Sequence, residues 1–266
     1  MTFSLTVLGS NAAIPANNRN LSAHLLNANE RFFLIDCGEG TQFQLRRFHI
    51  SMQRIRRVFI SHLHGDHFFG LIGLLNSMHL LGRKEELHLY APSILDEIIH
   101  MQLDASFTRL NFPLIFHPLR FDQDDLLYED GKITIYSFPL KHSVPTCGYL
   151  FREKDPPRKV KGPRSYAYCS DTGYDEQIIP YINRVGLLYH EATFMQNLAA
   201  VAADKLHSTA MEAAAIAAKA QVKRLLIGHF SARYEDIEPL LAEARSVFPE
   251  TYPAEEGIAI EISPGN

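Results

Sequence analysis

Short apolar runs closed by polar turns recur along this chain and set out an alternation of strands and helices. Residues 3–8 read as a strand that turns at Gly9-Ser10-Asn11. Residues 14–20, polar and kinked by Pro15, read as a surface loop. Residues 22–26 and 31–35 form a predicted hairpin around Asn27-Ala28-Asn29-Glu30. The second strand runs into Asp36-Cys37-Gly38-Glu39-Gly40-Thr41-Gln42, where two glycines imply tight backbone geometry ahead of a helix over 42–48. A buried strand at 57–60 leads to a helix over 68–81, then a strand at 87–90 and a helix over 92–103. Strands at 114–118 and 133–139 follow, with Gly131 turning the chain between them, then strands at 148–151, 166–169 and 185–189. The alanine-rich stretch 209–220 predicts a helix with Ser208 or Thr209 as N-cap and Glu212 in its first turn. A strand at 224–227, a helix over 237–247 and a last strand at 257–262 complete the chain. No internal repeat has a fixed period.

Metal-type residues gather where these strands end. They are Asp36, the cluster 62–67, His142, Asp171, His190-Glu191 and His229. Layered α/β folds assemble their sites from loops at strand ends, so the pattern predicts two sheets sandwiched between helices with one site at the strand ends.

The densest stretch is Ser61-His62-Leu63-His64-Gly65-Asp66-His67, three imidazoles and a carboxylate on a strand-to-helix turn. Imidazole nitrogen and carboxylate oxygen suit a borderline ion such as zinc. His62 and His64, on alternate positions, can reach one ion, while Asp66 and His67 open the helix and can reach a second. Partners must come from elsewhere: His142 could complete the first ion's set, His229 the second, and Asp171 could bridge the two. A hydroxide between two ions about 3.5–4 Å apart suits in-line attack on a phosphodiester. Asp36 is expected behind the ligands, orienting an imidazole N–H. His24, His49, His79, His88, His100 and His117 lie in no comparable context and read as structural or surface residues.

Bulk properties narrow the class. The 266 residues are 46% hydrophobic and 21% charged, enough for a sizeable core in one domain. A net charge of −4 does not advertise a polyanion partner for the whole molecule. Locally, Arg46, Arg47, Arg54, Arg56 and Arg57 form a basic stretch suited to phosphate. Cys37, Cys147 and Cys169 sit among apolar strand residues without metal-like spacing, so they read as reduced and buried, which fits the cytoplasm. No basic leader with an apolar core and no apolar run near 20 residues is visible, so neither secretion nor a membrane span is expected.

The cluster 61–67 resembles the signature of the metallo-β-lactamase fold. Further stretches are similar to the ribonuclease Z family within it. These are Ile14-Pro15 through Arg19-Asn20, residues 36–42, residues 142–149, Ser170-Asp171-Thr172, His190-Glu191-Ala192-Thr193-Phe194, His207-Ser208-Thr209 and residues 228–234. The matches keep their order over nearly the whole chain, and residues 36–42 and 190–194 are the specific ones. The resemblance implies an αββα sandwich of two mixed sheets between helical layers, spanning 1–266 as a single domain. It implies two zinc ions on the ligands above, a homodimer, and hydrolysis of precursor tRNA 3′ of the discriminator nucleotide. Asp66 would steer the attacking hydroxide, and His207 with Glu191 would protonate the leaving 3′-oxygen. Thr193, Ser231 and Arg233, with Arg19 and Asn20 of the early loop, would contact RNA. The family carries a long tRNA-binding arm where this chain has only residues 154–163, with Pro156-Pro157, Arg158, Lys159 and Lys161 like the arm's base. Two competing readings are a broad phosphodiesterase on the same fold and a catalytically silent RNA-binding subunit; the complete donor set argues against the silent one.

Overall fold

The structure is a computed structural model that describes residues 2–154, 156 and 162–265. It divides into two compact units. Of the expected arm remnant, residues 155 and 157–161 lie outside the described residues.

The first unit holds residues 2–119 and 256–260. Its strands are β1 (Phe3–Gly9), β2 (Ala23–Ala28), β3 (Arg31–Ile35), β4 (Ile55–Phe59), β5 (Leu87–Ala91) and β6 (Leu114–Pro118). They lie in sequence order, antiparallel from β1 to β3 and parallel from β3 to β6. Parallel neighbours need crossovers. Helix α1 (Thr41–Arg47) supplies the first, α2 (Gly65–Phe68) and α3 (Leu71–Leu80) the second, and α4 (Ile94–Ala105) the third. The two-residue period of a strand sorts the side chains. Leu34, Val58 and Leu89 face the helices and pack with Leu45, Leu74, Leu75, Met78 and Ile99. Their neighbours Phe33, Phe59 and Tyr90 on the opposite face are buried as well, and the Phe59 and Tyr90 rings stack 4.7 Å apart.

The continuous helix expected over 68–81 is broken at Phe69 and Gly70. The break has a backbone cause. Gly70 donates its amide to Cys37 O at 2.9 Å, and the Cys37 amide returns to His67 O at 2.7 Å. A Cβ on Gly70 would lie 2.1 Å from Gly38 O. Two glycines thus let the turn after β3 lie directly on the turn that carries the histidine cluster.

The second unit holds the described part of 120–255 and residues from 261 on. Its strands are β7 (Asp125–Glu129), β8 (Ile133–Leu140), β9 (Thr146–Glu153), β10 (Ser165–Cys169), β11 (Leu187–Glu191), β12 (Leu225–Gly228) and β13 (Thr251–Pro253). They too lie in sequence order, antiparallel from β7 to β10 and parallel from β10 to β13. Short β14 (Ala259–Glu261) lies beside β1 at the edge of the first sheet. Helices α5 (Ile179–Ile182), α6 (Ala199–Lys205), α7 (Ala210–Lys219) and α8 (Glu238–Val247) accompany the second sheet. Ala213, Ala214 and Ala217 of α7 let it pack closely with Ala167, Leu188 and Ile227.

Thr209 caps α7 as its sequence suggested. Its hydroxyl accepts the Glu212 amide at 3.2 Å, and Glu212 Oε2 accepts the Thr209 amide at 2.8 Å. At the end of β9, Glu153 and Arg164 form a buried two-pronged ion pair at 2.8 and 2.6 Å, which fixes both ends of the 154–163 segment. Strands β7 and β13 had no expectation: the first is a half-exposed edge, and the second has three residues ending in Pro253. The three cysteines are buried and form no disulfide, as expected, and burial pushes the Cys37 thiol up to about 12. Among the described residues, no helix is long and apolar enough to cross a membrane.

Candidate metal centre

Each sheet turns from antiparallel to parallel pairing, and the chemistry collects at strand ends, most of it at or beyond that point, with His142 after antiparallel β8. In the first unit, β3 ends at Asp36, held in the left-handed region at φ 57°. That conformation costs a non-glycine residue roughly 1 kcal/mol or more, and it turns the carboxylate inward, fully buried. Asp36 Oδ1 accepts the Ser61 amide at 2.7 Å; Oδ2 accepts the Ser61 hydroxyl at 2.9 Å and His67 Nδ1 at 2.8 Å.

His62 and His67 are buried beside it, their ring centroids 4.1 Å apart, and the His64 ring lies 4.9 Å from that of His62. Asp66 enters from the first turn of α2. Its Oδ2 lies 3.6 Å from His67 Nε2 and accepts the Ala13 amide at 2.7 Å. Ala13 stands at φ 62° in the early loop. That loop is pinned by Glu256, whose carboxylate accepts the Asn20 amide at 2.6 Å, the Asn20 side chain at 2.7 Å and the Gln44 side chain at 2.8 Å. Arg19 turns its Nε to Asn11 Oδ1 at 3.0 Å. His24, left outside the site by sequence, is buried on β2, and burial pushes its imidazole down to about 3, against the opposing pull of Asp36.

In the second unit, His142 follows β8, Asp171 follows β10, Glu191 ends β11 and His229 follows β12 at φ 57°. His142 Nδ1 donates to Leu206 O at 3.0 Å, and its Nε2 lies 3.7 Å from Asp171 Oδ2. His229 Nε2 lies 3.1 Å from Asp171 Oδ1. Asp171, His207 and His229 each place a donor atom within 4.8 Å of the others. Behind them sits the buried Glu191. Its Oε1 accepts His207 Nδ1 at 2.7 Å and the Thr172 amide at 3.1 Å. Its Oε2 accepts the Thr193 amide at 3.0 Å and hydroxyl at 2.7 Å. Burial by itself would raise the Glu191 carboxyl, but His207, bonded to it, and nearby His229 hold it below its ordinary value.

Thr193, expected at the RNA, is buried, and its hydroxyl lies on Glu191 and 2.9 Å from His229 Nδ1. Arg233 is exposed, its guanidinium 5.0 Å over the Phe194 ring and its Nε 3.1 Å from the Ser231 hydroxyl. The basic stretch is partly neutralised locally: Arg54 pairs with Glu30 at 2.5 Å and Arg56 with Glu85 at 3.4 Å. Ser61, Ala13 and Leu206 were missed by sequence reasoning. Ser61 was legible only as the neighbour of His62; a backbone amide or carbonyl leaves no signal in the residue type.

These donors fit a metal. A neutral imidazole that gives its Nδ1 proton to a carboxylate or carbonyl must carry its lone pair at Nε2. His67 and His142 are in that position, and in both Nε2 faces a carboxylate oxygen. Two acceptors turned toward one another suit a cation between them, and nitrogen–oxygen sets of this kind are those of zinc.

Comparison with known proteins decides the family. A family model described as anti-Pycsar protein Apyc1 matches residues 3–247. The ribonuclease Z of Parabacteroides distasonis is 40% identical over 98% of this chain and 99% of its own. That of Cytophaga hutchinsonii is 42% identical over 99% of this chain and 97% of its own. This chain belongs to the ribonuclease Z family. The Apyc1 model describes the same stretch of chain. Among solved structures, the short form of human tRNase Z superposes with a TM-score of 0.83 at 32% identity, covering 97% of this chain and 99% of that one. A metallo-β-lactamase fold protein of Bacillus subtilis superposes at 0.79 with 26% identity, over 98% of this chain and all of that one. This ribonuclease Z family member therefore has the metallo-β-lactamase fold, with two seven-stranded mixed sheets and their helices.

Proposed function

We propose that this enzyme removes 3′ trailers from precursor tRNA, cutting 3′ of the discriminator nucleotide to leave a 3′-hydroxyl on the tRNA and a 5′-phosphate on the trailer. The observation that carries this reading is the full-length match to ribonuclease Z in a chain that keeps every histidine and aspartate of the expected donor set. On this reading His62, His64 and His142 would hold one zinc ion, Asp66, His67 and His229 would hold a second, and Asp171 would serve both. When bound, the metals would supply charge neutralisation at the scissile phosphate and an activated water. Asp66 would orient the attacking water, with the Ala13 amide fixing its Oδ2. His207 gives a proton to the departing 3′-oxygen. Glu191 accepts from His207 Nδ1, which leaves Nε2 as the proton-transferring atom and offsets the positive charge of the imidazolium.

Arg19, Asn20, Ser231 and Arg233 are the proposed RNA contacts, with Thr193 behind them. The exposed Arg233, braced on Phe194, is the best placed to meet a phosphate. A cytoplasmic homodimer fits the family, the three buried cysteines outside any disulfide, and the exposed Phe43 of α1 with Leu80 and Leu81 at the end of α3. Both units would then be halves of one domain.

A second reading, a broad phosphodiesterase, draws on one observation. The match to the Parabacteroides protein spans 301 positions, of which 98% of 266 residues fill only about 261. About 40 positions of the relative therefore face no residue here, and we assign them to the shortened arm at 154–163. Incubation with a trailer-bearing tRNA precursor and with bis-p-nitrophenyl phosphate separates the readings. Cleavage at the discriminator supports the first; turnover of the small diester alone supports the second.

A further inference from the structure

We propose that Ser61 and Thr193 are matched positioning residues: each hydroxyl lets one buried carboxylate fix two imidazoles, so that His62 and His229 present Nε2 as their ligand atom. The inference deepens the metal-centre reading and rests on it for its consequence.

Each unit holds the same three-part chain. In the first, Asp36 takes His67 directly and Ser61 by both amide and hydroxyl, and Ser61 Oγ stands 3.0 Å from His62 Nδ1. In the second, Glu191 takes His207 directly and Thr193 by both amide and hydroxyl, and Thr193 Oγ1 stands 2.9 Å from His229 Nδ1. A carboxylate only accepts, and a hydroxyl has one proton. The Ser61 and Thr193 protons are therefore spent on Asp36 and Glu191, and toward the imidazoles both oxygens can only accept. His62 and His229 must then be the donors at Nδ1. In a neutral ring this puts the lone pair at Nε2, and His229 Nε2 is the atom 3.1 Å from Asp171 Oδ1. Thr193 Oγ1 also lies 3.5 Å from His207 Nδ1, but that proton has the shorter path, 2.7 Å, to Glu191.

The backbone makes each relay rigid. Because the amide of the same residue is bonded to the same carboxylate, the backbone that carries the hydroxyl is anchored within reach of its acceptor. All eight side chains are nine-tenths or more buried except His207, so water does not readily take over the role. The two relays are built differently in sequence: Asp36 lies 25 residues before Ser61, whereas Glu191 lies two before Thr193. The shared feature is chemical, a buried acceptor, a hydroxyl and an imidazole in series.

The test begins with the zinc-stripped wild-type protein at alkaline pH, its histidines labelled with ¹⁵N. His62 and His229 are expected as Nδ1–H tautomers; an Nε2–H tautomer in either overturns the proposal without any variant. Next, Ser61→Ala and Thr193→Val remove each hydroxyl with little change of volume. Zinc affinity, read by competition with a chromogenic chelator, is expected to fall about 10–100-fold in each. Ser61→Thr and Thr193→Ser should stay close to wild type. Circular dichroism checks folding; should Ser61→Ala fail to fold, the wild-type tautomers and Thr193→Val decide. Wild-type affinity in the hydroxyl-free variants overturns the relay and leaves the metal centre standing. No zinc binding by the wild type overturns both.

Discussion

His207 Nδ1 stands 2.7 Å from Glu191 Oε1, in a carboxylate that also holds the Thr172 and Thr193 amides. Glu191 is buried whereas His207 keeps some exposure, so the pair has a fixed inner partner and an outer one open to substrate. The ring is oriented from behind, and on the proposed reading it would work from its other nitrogen. This arrangement separates proton transfer from metal binding, and the separation can be measured.

His207→Ala keeps every proposed zinc ligand. Zinc content by elemental analysis should equal wild type, while single-turnover cleavage of precursor tRNA should slow by about 10²–10⁴-fold, the usual worth of a positioned acid. Wild-type rates would remove His207 from the mechanism.

His142→Ala should behave in the opposite way. It deletes a donor whose Nδ1 is locked on Leu206 O, so zinc content should fall and activity with it. A chelator should abolish wild-type activity and added zinc restore it. Full metal content in this variant would contradict the ligand assignment.

The Ala13 amide reaches Asp66 from a left-handed residue. Ala13→Gly should relieve about 1 kcal/mol of strain and keep the contact, visible as a small rise in the urea midpoint. Ala13→Pro cannot adopt this φ and has no amide proton, so cleavage should drop. Equal rates in the two variants would show that the contact does not matter.

Gly70→Ala should destabilise the fold by about 1–3 kcal/mol, because its Cβ meets the carbonyl of Gly38 at 2.1 Å and one strand-end turn must move off the other. Zinc affinity should fall together with stability. Gly82→Ala is the control: at φ 80° with nothing within 4 Å, it should cost about 1 kcal/mol of stability and leave zinc binding alone.

His24 gives a pH dependence in zinc-free protein. Its folded value, about 3, lies below the ordinary 6.5, so the unfolded chain binds the extra proton between those limits. The stabilisation is full above pH 6.5 and is lost as pH falls toward 3, at up to about 1.4 kcal/mol per pH unit. His24→Gln should flatten the stability profile by that slope. An unchanged slope would mean that His24 protonates in the folded state as it does in the unfolded one.

Much of the scaffold was legible in the residues because strand and helix periodicity are local properties. Val58 and Ile60 alternate with Phe59, and α7 announces itself by its alanines and its Thr209–Glu212 cap. The break at Gly70 was not legible, since residues 68–75 are apolar apart from two glycines and the interruption is imposed by a carbonyl some thirty residues earlier. β7 and β13 escaped notice because an exposed edge strand and a three-residue strand carry little pattern.

The same division runs through the candidate site. Sequence alone determined which residues could bind metal, because donor chemistry belongs to residue type and His-x-His-x-Asp-His is dense enough to stand out. Only the tertiary structure decided which nitrogen of each ring is turned outward. That choice depends on the hydrogen bonds the rings give to Asp36, Ser61, Thr193 and the Leu206 carbonyl. Hydrogen bonds are directional over about 3 Å, and most of these partners are brought into reach only when distant strand ends come together.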